Sequence, residues 1–314
     1  MNSSELKRAT FMFFSLSALI FSSFVANAGE SVPSDSTGEA KKGGETVVVE
    51  AKPAGPAPVA TDPKPRFVRV RLLAEFGMLA PVQNTLQKGK NGTKFNYITE
   101  GGEDSIFPAG RVSAELNLAQ AHTIILLYQP LDLKTDTVLS RDVLVDNVLF
   151  VKGTPMNLRY GFDFWRLSYL YNFMYKKPRN EVSLGASLQI RNASIEFSSA
   201  DGGLRSASNN IGPVPAIKRR LRHEPIKNFW YGGEFDFMYA PIKYINGSNS
   251  DVVGALADLN LRVGYRVWRP LDIFLNFRYL GGGASGTGSS GYTDNWVSFL
   301  MVTIGVEFDV TELM

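Results

Sequence analysis

From Phe67 onward the chain alternates apolar and polar residues with a period of two, the spacing of a strand whose two faces meet different surroundings. Val68, Val70, Leu72, Ala74, Phe76 and Met78 share one face of the first segment, and Arg69, Arg71 and Glu75 the other. Val112, Ala114, Leu116 and Leu118 oppose Arg111, Ser113, Glu115 and Asn117. Val182, Leu184, Ala186, Leu188 and Ile190 oppose Ser183, Gly185, Ser187, Gln189 and Arg191. The run Val253 to Val267 opposes Asp258, Asn260, Arg262 and Arg266, and Ile273, Leu275, Phe277 and Tyr279 oppose Asp272, Asn276 and Arg278. Charge is confined to one face of each segment.

Ten such segments are expected, at 67–79, 108–118, 122–132, 156–176, 181–198, 211–222, 228–240, 252–267, 271–281 and 294–308. Their connections alternate between short turns (Ala119-Gln120, Lys177 to Asn180, His223 to Lys227, Trp268 to Pro270) and long loops (80–107, 133–155, 199–210, 241–251, 282–293). This asymmetry predicts an all-β fold, an antiparallel up-and-down transmembrane β-barrel of about ten strands, with eight or twelve as alternatives and both termini on the periplasmic side. In the segment 156–176 the apolar positions are even at Leu158, Tyr160, Phe162 and Phe164 but odd at Leu167, Tyr169, Tyr171 and Phe173. A bulge near Phe164-Trp165 is the expected cause. Tyr160, Trp165, Trp230, Tyr231, Tyr239, Trp268 and Trp296 are candidates for aromatic girdles.

The N-terminal part reads differently. Lys7 and Arg8 precede an apolar run from Phe11 to Val25 and the small-residue site Ala26-Asn27-Ala28. That is the pattern of a signal peptide over 1–28. Residues 29–66 are rich in Pro, Gly and Lys and predict a disordered periplasmic linker, leaving 67–314 for the barrel. Within the linker, Glu45 to Ala51 is similar to the segment by which outer-membrane receptors engage an energy-transducing partner through strand addition. Such receptors carry a plug domain and about 22 strands, more than this chain can supply.

Composition narrows the chemistry. With 33 basic and 30 acidic residues and a net charge of +3, no basic face for nucleic acid is announced. The absence of cysteine excludes a disulfide scaffold, a thiolate metal site, a cysteine nucleophile and an acylated N-terminal cysteine. Only His122 and His223 could serve as imidazole bases, and both fall at the periplasmic end without a serine or threonine in a catalytic pattern. Thr123 adjoins His122 but points to the opposite face. No enzyme, cofactor or metal is therefore expected.

The candidate site is the lumen. Arg69, Arg71, Glu75, Arg111, Glu115, Arg159, Asp163, Arg191, Asp258, Arg262, Arg266, Asp272 and Arg278 are expected to line it, together with Arg166, Glu234, Asp236 and Glu307. Opposite charges meeting across so narrow a barrel either fill it or line a constricted channel. Among the loops, Lys88 to Lys94 is basic, Asp132, Asp136, Asp142 and Asp146 are acidic, and Gly281 to Gly291 is mostly Gly and Ser. Asp142 and Asp146 are candidates for a divalent cation. Lys218 to Arg220 and Arg222 are expected to meet inner-leaflet head groups.

Arg166-Leu167 with Tyr169 and Tyr171, Leu184-Gly185-Ala186, Ile190-Arg191 with Ala193 and Ile195, Asn210-Ile211-Gly212 with Val214-Pro215, and Tyr279-Leu280-Gly281-Gly282-Gly283 are short motifs spread over the second half of the chain. Through them the stretch from Tyr160 to Phe308 resembles an uncharacterised family of bacterial outer-membrane β-barrel proteins. In size and strand number it is also similar to the omptin class, but nothing here fills the places of the aspartate pair and the facing aspartate–histidine pair of an omptin protease. The pattern of strands, lumen charges and histidines leads to the expectation of a non-enzymatic barrel of the bacterial outer membrane, structural or narrow-pore, with a surface adhesin, a ligand-binding barrel or a lipid-modifying enzyme as alternatives. Its implied partners are outer-membrane lipid, lipopolysaccharide and the periplasmic barrel-assembly machinery. A monomer is expected. The C-terminus departs from the family habit, because Phe308 is followed by Asp309 to Met314.

Overall fold

The computed structural model describes residues 66–241, 251–288 and 291–313. The expected signal peptide, the linker before Arg66 and the Glu45 to Ala51 segment lie outside the described residues, as does the core of the expected 241–251 loop. The strands are β1 (Val68–Lys88), β2 (Phe95–Asn96), β3 (Phe107–Leu118), β4 (His122–Gln129), β5 (Asp132–Val138), β6 (Val143–Val145), β7 (Val148–Phe150), β8 (Pro155–Asn172), β9 (Asn180–Ser199), β10 (Arg205–Ile226), β11 (Phe229–Pro241), β12 (Val253–Trp268), β13 (Leu271–Gly288) and β14 (Gly291–Asp309). A 3-10 turn, Val310–Leu313, follows.

Each wall strand pairs antiparallel with its neighbour, and β14 pairs with β1 to close a ten-stranded barrel. β4 and β5 together form one wall strand. Both pair with β8 in a single register, Gln129 opposite Phe164 and Asp132 opposite Gly161, across a break at Pro130-Leu131. Closure removes the sheet edges, so nearly all main-chain polar groups of the wall find partners away from water.

The outer surface carries an apolar belt: Leu72, Phe76, Leu126, Leu167, Leu188, Leu261, Phe277 and Val302 are all exposed. On β9 the belt runs from Val182 to Ile190 before giving way to Asn192. At about 3.3 Å per residue and a tilt near 40°, that is roughly 20–25 Å of height, enough for the hydrocarbon of an outer membrane. Among the described residues no helix is long and apolar enough to cross a membrane. The strands do so.

The bulge expected in β8 is absent, for its register with β9 is unbroken from Met156 to Asn172. Met156, Leu158, Tyr160, Phe162, Phe164, Arg166, Ser168 and Leu170 all point inward and are buried. What changes along the strand is the medium. Trp165, Leu167, Tyr169 and Phe173 face the belt, whereas above them Arg159 and Asp163 face water and the apolar residues turn to the interior. β9 inverts at the same level, with Gln189 inward below and Ala193, Ile195 and Phe197 inward above. Register shifts do occur elsewhere, in β1 between Pro81 and Gln83, in β10 between His223 and Ile226 and in β12 between Arg266 and Trp268.

Two expected loops are largely strand. The connection expected at 199–210 narrows to 200–204, and the Gly/Ser-rich stretch expected as a loop at 282–293 extends β13 to Gly288 and starts β14 at Gly291. The other two described loops fold back into the barrel mouth. Phe95 and Tyr97 from the β1–β3 loop, and Val143, Val145 and Phe150 from the β6–β7 hairpin, are buried with Phe197, Tyr160 and Met156. Phe95 meets Tyr97 and Phe197 edge-on at 5.2 Å. Each such buried ring contributes about 2 kcal/mol towards holding its loop in place.

Candidate functional site

Below the aromatic cluster the lumen is filled by ion pairs. Inward positions on adjacent strands fall on shared rungs: Lys218 opposite Asp236, Arg220 opposite Glu234, Asp236 opposite Asp258, and Asp272 opposite Glu307. Because alternate residues of each strand point inward, long side chains from facing walls meet near the barrel axis.

The pairs form one continuous network. Arg166 lies 2.7 Å from Asp258 and 3.0 Å from Asp236, and Arg278 is 2.7 Å from Asp258. Lys218 joins Asp236 to Glu234, both at 2.8 Å. From Glu234 the chain of contacts continues through Arg220 to Glu115, then through Arg71 (2.6 Å) to Glu307 (2.7 Å). Arg222 links Glu307 to Asp272, both at 2.9 Å, and Arg266 completes this arm at 2.9 Å from Asp272. Arg262 bridges Glu234 (3.0 Å) and Glu75 (3.3 Å), and Arg111 reaches Glu75 at 2.8 Å.

Asn260 and Asn276 stitch Arg111 and Glu75 together by further hydrogen bonds. Trp230 closes the floor, donating from its indole N–H to Asp272 at 2.9 Å and lying 3.8 Å beneath the Arg222 guanidinium. Paired in this way, the charges offset a desolvation cost of several kcal/mol per ion that none could bear alone. Cavities of about 20 and 10 Å³ lie among the described residues of the network, each with room for little more than a water.

Arg71, Glu75, Arg111, Glu115, Asp258, Arg262, Arg266, Asp272 and Arg278 sit in this network, while Arg69 stands at the short-turn end of the barrel against Asp309. Arg159 and Asp163 do not face the lumen. Arg159 is on the outer face, 2.7 Å from Asp132, and Asp163 accepts the Leu131 N–H at 2.8 Å, the amide left over where Pro130 interrupts the wall strand. Both belong to the water-exposed upper wall, where the faces have exchanged roles. Arg191 does face inward, but among the described residues it meets no carboxylate. The expectation for Lys218, Arg220 and Arg222 is also corrected: they point into the lumen, and only Arg219 of that run faces outward. Read as a run, the four suggested a patch; read by parity, three belong inside.

His122 lies at the short-turn end on the outer face, its Nδ1 2.8 Å from the Tyr169 hydroxyl, and Thr123 beside it is buried inward. His223 Nδ1 is 2.7 Å from Asn180 Oδ1. Asp142 accepts the Lys152 N–H at 2.7 Å and Asp146 pairs with Lys88 at 3.4 Å. Among the described residues no group of three acidic or histidine ligands could hold a metal ion.

Sequence reasoning missed Glu103. It follows the β1–β3 loop into the mouth, is 1% exposed, and accepts one hydrogen bond from Asn84 Nδ2 at 2.8 Å. Burial without a cation pushes its carboxyl up to about 7, against the Asn84 bond, which lowers it. The buried Tyr97 hydroxyl beside it is likewise raised by burial. The signal was present in the sequence as apolar Phe95 and Tyr97 on alternate positions of a supposed surface loop.

No protein-family model matches the chain, and no curated protein does. Solved structures similar to it are bacterial barrels. One is Ail, the attachment invasion locus protein of Yersinia pestis, at 11% identity and a TM-score of 0.33 over 76% of this chain and 99% of that one. Another is the P. putida toluene transporter TodX, at 7% identity and a TM-score of 0.33 over 78% and 90%. The outer membrane protein AlkL is similar at 10% identity and a TM-score of 0.30 over 88% and 96%. No role for this chain follows from likeness at that level. Its own geometry defines the class: a closed, ten-stranded transmembrane β-barrel whose lumen is filled by its own side chains.

Proposed function

We propose that this chain is a non-enzymatic barrel of the bacterial outer membrane that serves as a rigid structural element and presents its loops at the surface, and that it is not a diffusion pore. The observation that carries this is the filled lumen: a single ion-pair network below and an aromatic plug from two loops above. An open channel needs its charges hydrated and apart, whereas here they neutralise one another where water has little room. On this reading lipid and lipopolysaccharide surround the belt, the barrel-assembly machinery acts during biogenesis, and the protein works as a monomer.

The test is conductance across a planar bilayer, with heat-modifiable gel migration to show that the barrel has formed. A folded barrel that stays electrically silent in molar potassium chloride is expected. Stepwise currents proportional to salt from the same preparation would overturn the reading.

A further inference from the structure

The barrel wall between β10 and β11 is paired only part of the way up. The ladder runs from Ile226 opposite Phe229 to Ile217 opposite Phe237 and stops. Yet β11 continues against β12 as far as Pro241, and β10 continues against β9 as far as Arg205. Residues 213–216 and 238–241 therefore face one another with no ladder between them.

The sequence has removed the donors at this seam. Even-numbered residues of β10 direct their main chain to the β9 side: Glu224 N–H donates to Arg179 O, and Ser199 N–H to Leu204 O, both at 2.9 Å. Odd-numbered residues therefore turn towards β11, and in the unpaired stretch these are Pro213 and Pro215. Continuing the Ile217–Phe237 register places Pro241 and Tyr239 opposite them. Three of the four facing positions are prolines, which have no N–H to leave unsatisfied. An open edge at membrane depth normally costs several kcal/mol per orphan group, and this one is stripped of all but one such donor.

The seam lies at the loop side of the apolar belt. Pro213 shares a rung with Ile190 and hence with Trp165, which packs on Tyr128 at 4.6 Å. Tyr239 shares one with Ala255, Gly283 and Trp296. Outside, Ile211, Ile217 and Tyr239 are exposed. Inside, Gly212, Val214, Met238 and Arg191 are half-buried, Val214 and Met238 packing against the core that includes the buried Ala216, while Leu280 and Phe299 farther round the wall are sealed.

Arg191, opposite Gly212 in the ladder, is unlike the other inward arginines, each of which reaches a carboxylate. Among the described residues it makes no ion pair or hydrogen bond. Its Nε has no partner, and its guanidinium lies 5.9 Å from the centroid of the Phe162 ring. A cation so placed lacks an anion, and the stretch of wall beside it has no ladder bonds holding β10 to β11.

We propose that the seam is a lateral portal at which one anionic amphiphile of the outer leaflet docks, its phosphate or carboxylate on Arg191 and its acyl chain leaving between β10 and β11 across Pro213, Pro215 and Tyr239. The portal rests on the proposed membrane setting but not on whether the lumen conducts.

The test is native mass spectrometry of the full chain, purified in a neutral detergent and titrated separately with phosphatidylglycerol, lipid A, oleate and phosphatidylcholine. Two variants are compared with the parent. Arg191→Gln removes the charge. Pro215→Cys with Tyr239→Cys, the only cysteines in the chain, ties the seam across matching positions. One bound anionic lipid is expected on the parent, held about tenfold more weakly by Arg191→Gln, lost when the cysteine pair is oxidised and regained on reduction. Whether phosphatidylglycerol and lipid A or oleate binds tells phosphate from carboxylate. Equal retention by the parent, Arg191→Gln and the oxidised pair, or equal binding of phosphatidylcholine, would overturn the portal. Heat-modifiable migration of every variant separates loss of the lipid from loss of the barrel.

Discussion

Glu103→Gln isolates a titration built into the mouth plug. The carboxyl is sealed between the β1–β3 loop and β1, its main-chain N–H donating to Tyr97 O at 2.9 Å and its side chain accepting from Asn84. Burial raises it from 4.5 to about 7, so the docked loop binds a proton that the undocked loop gives up more readily. Docking is therefore fully favourable below about pH 4.5, weakens as pH rises towards 7, and is flat above. Across that interval, at about 1.36 kcal/mol per pH unit, the loss is about 3 kcal/mol, or some two orders of magnitude in the opening equilibrium. Hydrogen exchange of amides 89–106, corrected for intrinsic rates, measures it. The parent is expected to lose about a hundredfold protection between mildly acidic and mildly alkaline pH, and Glu103→Gln to lose none. Matching pH profiles for the two proteins would refute the assignment.

Two further substitutions probe the lumen. Arg166→Met removes the cation that Asp236 and Asp258 share, leaving them to Lys218 and Arg278, and is expected to cost about 3 kcal/mol in denaturant unfolding from lipid vesicles; a loss below about 1 kcal/mol would show the network to be slack. Gly264→Val sets a Cβ into the Trp230 ring, so Trp230 is expected to leave Arg222 and Asp272, with red-shifted emission and a cost of about 1–3 kcal/mol; an unchanged spectrum would count against the tight seat.

Much of this architecture is written in the alternation of residues. Ten segments, their turns and the inward placement of residues such as Glu75, Asp258 and Arg278 can be read from parity alone, because a closed barrel repeats one simple rule around its wall. The rule fails where the surroundings change along a single strand. Leu158 to Phe164 are apolar because they pack inside beneath a water-exposed wall, and Leu167 to Phe173 because they face lipid. A sequence shows which face is apolar but not what lies against it. The Gly/Ser stretch around Gly281 to Gly291 was illegible for a different reason. Its residues are poor strand formers by themselves, but partners already held on β12 and β14 extend the ladder through them. The lumen's wiring was hidden too, since contacts such as Arg71 to Glu307 span the whole chain. The missing rungs between β10 and β11, by contrast, left a mark in Pro213, Pro215 and Pro241.

The meeting of β1 and β14 also governs the order of assembly. Every other wall pairing joins strands that follow one another along the chain and grows outward from a nearby turn, so its loop-closure entropy is small. β1 with β14 instead brings together residues such as Arg71 and Asp309, from opposite ends of the barrel sequence. That contact accounts for much of the long-range contact order and is the natural slow step. Thr311, just beyond β14, accepts the Val70 N–H at 2.8 Å, so the final turn acts as a latch on the first strand. An incomplete barrel lacking this turn would re-open faster than the intact one, leaving the newly made protein longer in the state most open to proteolysis.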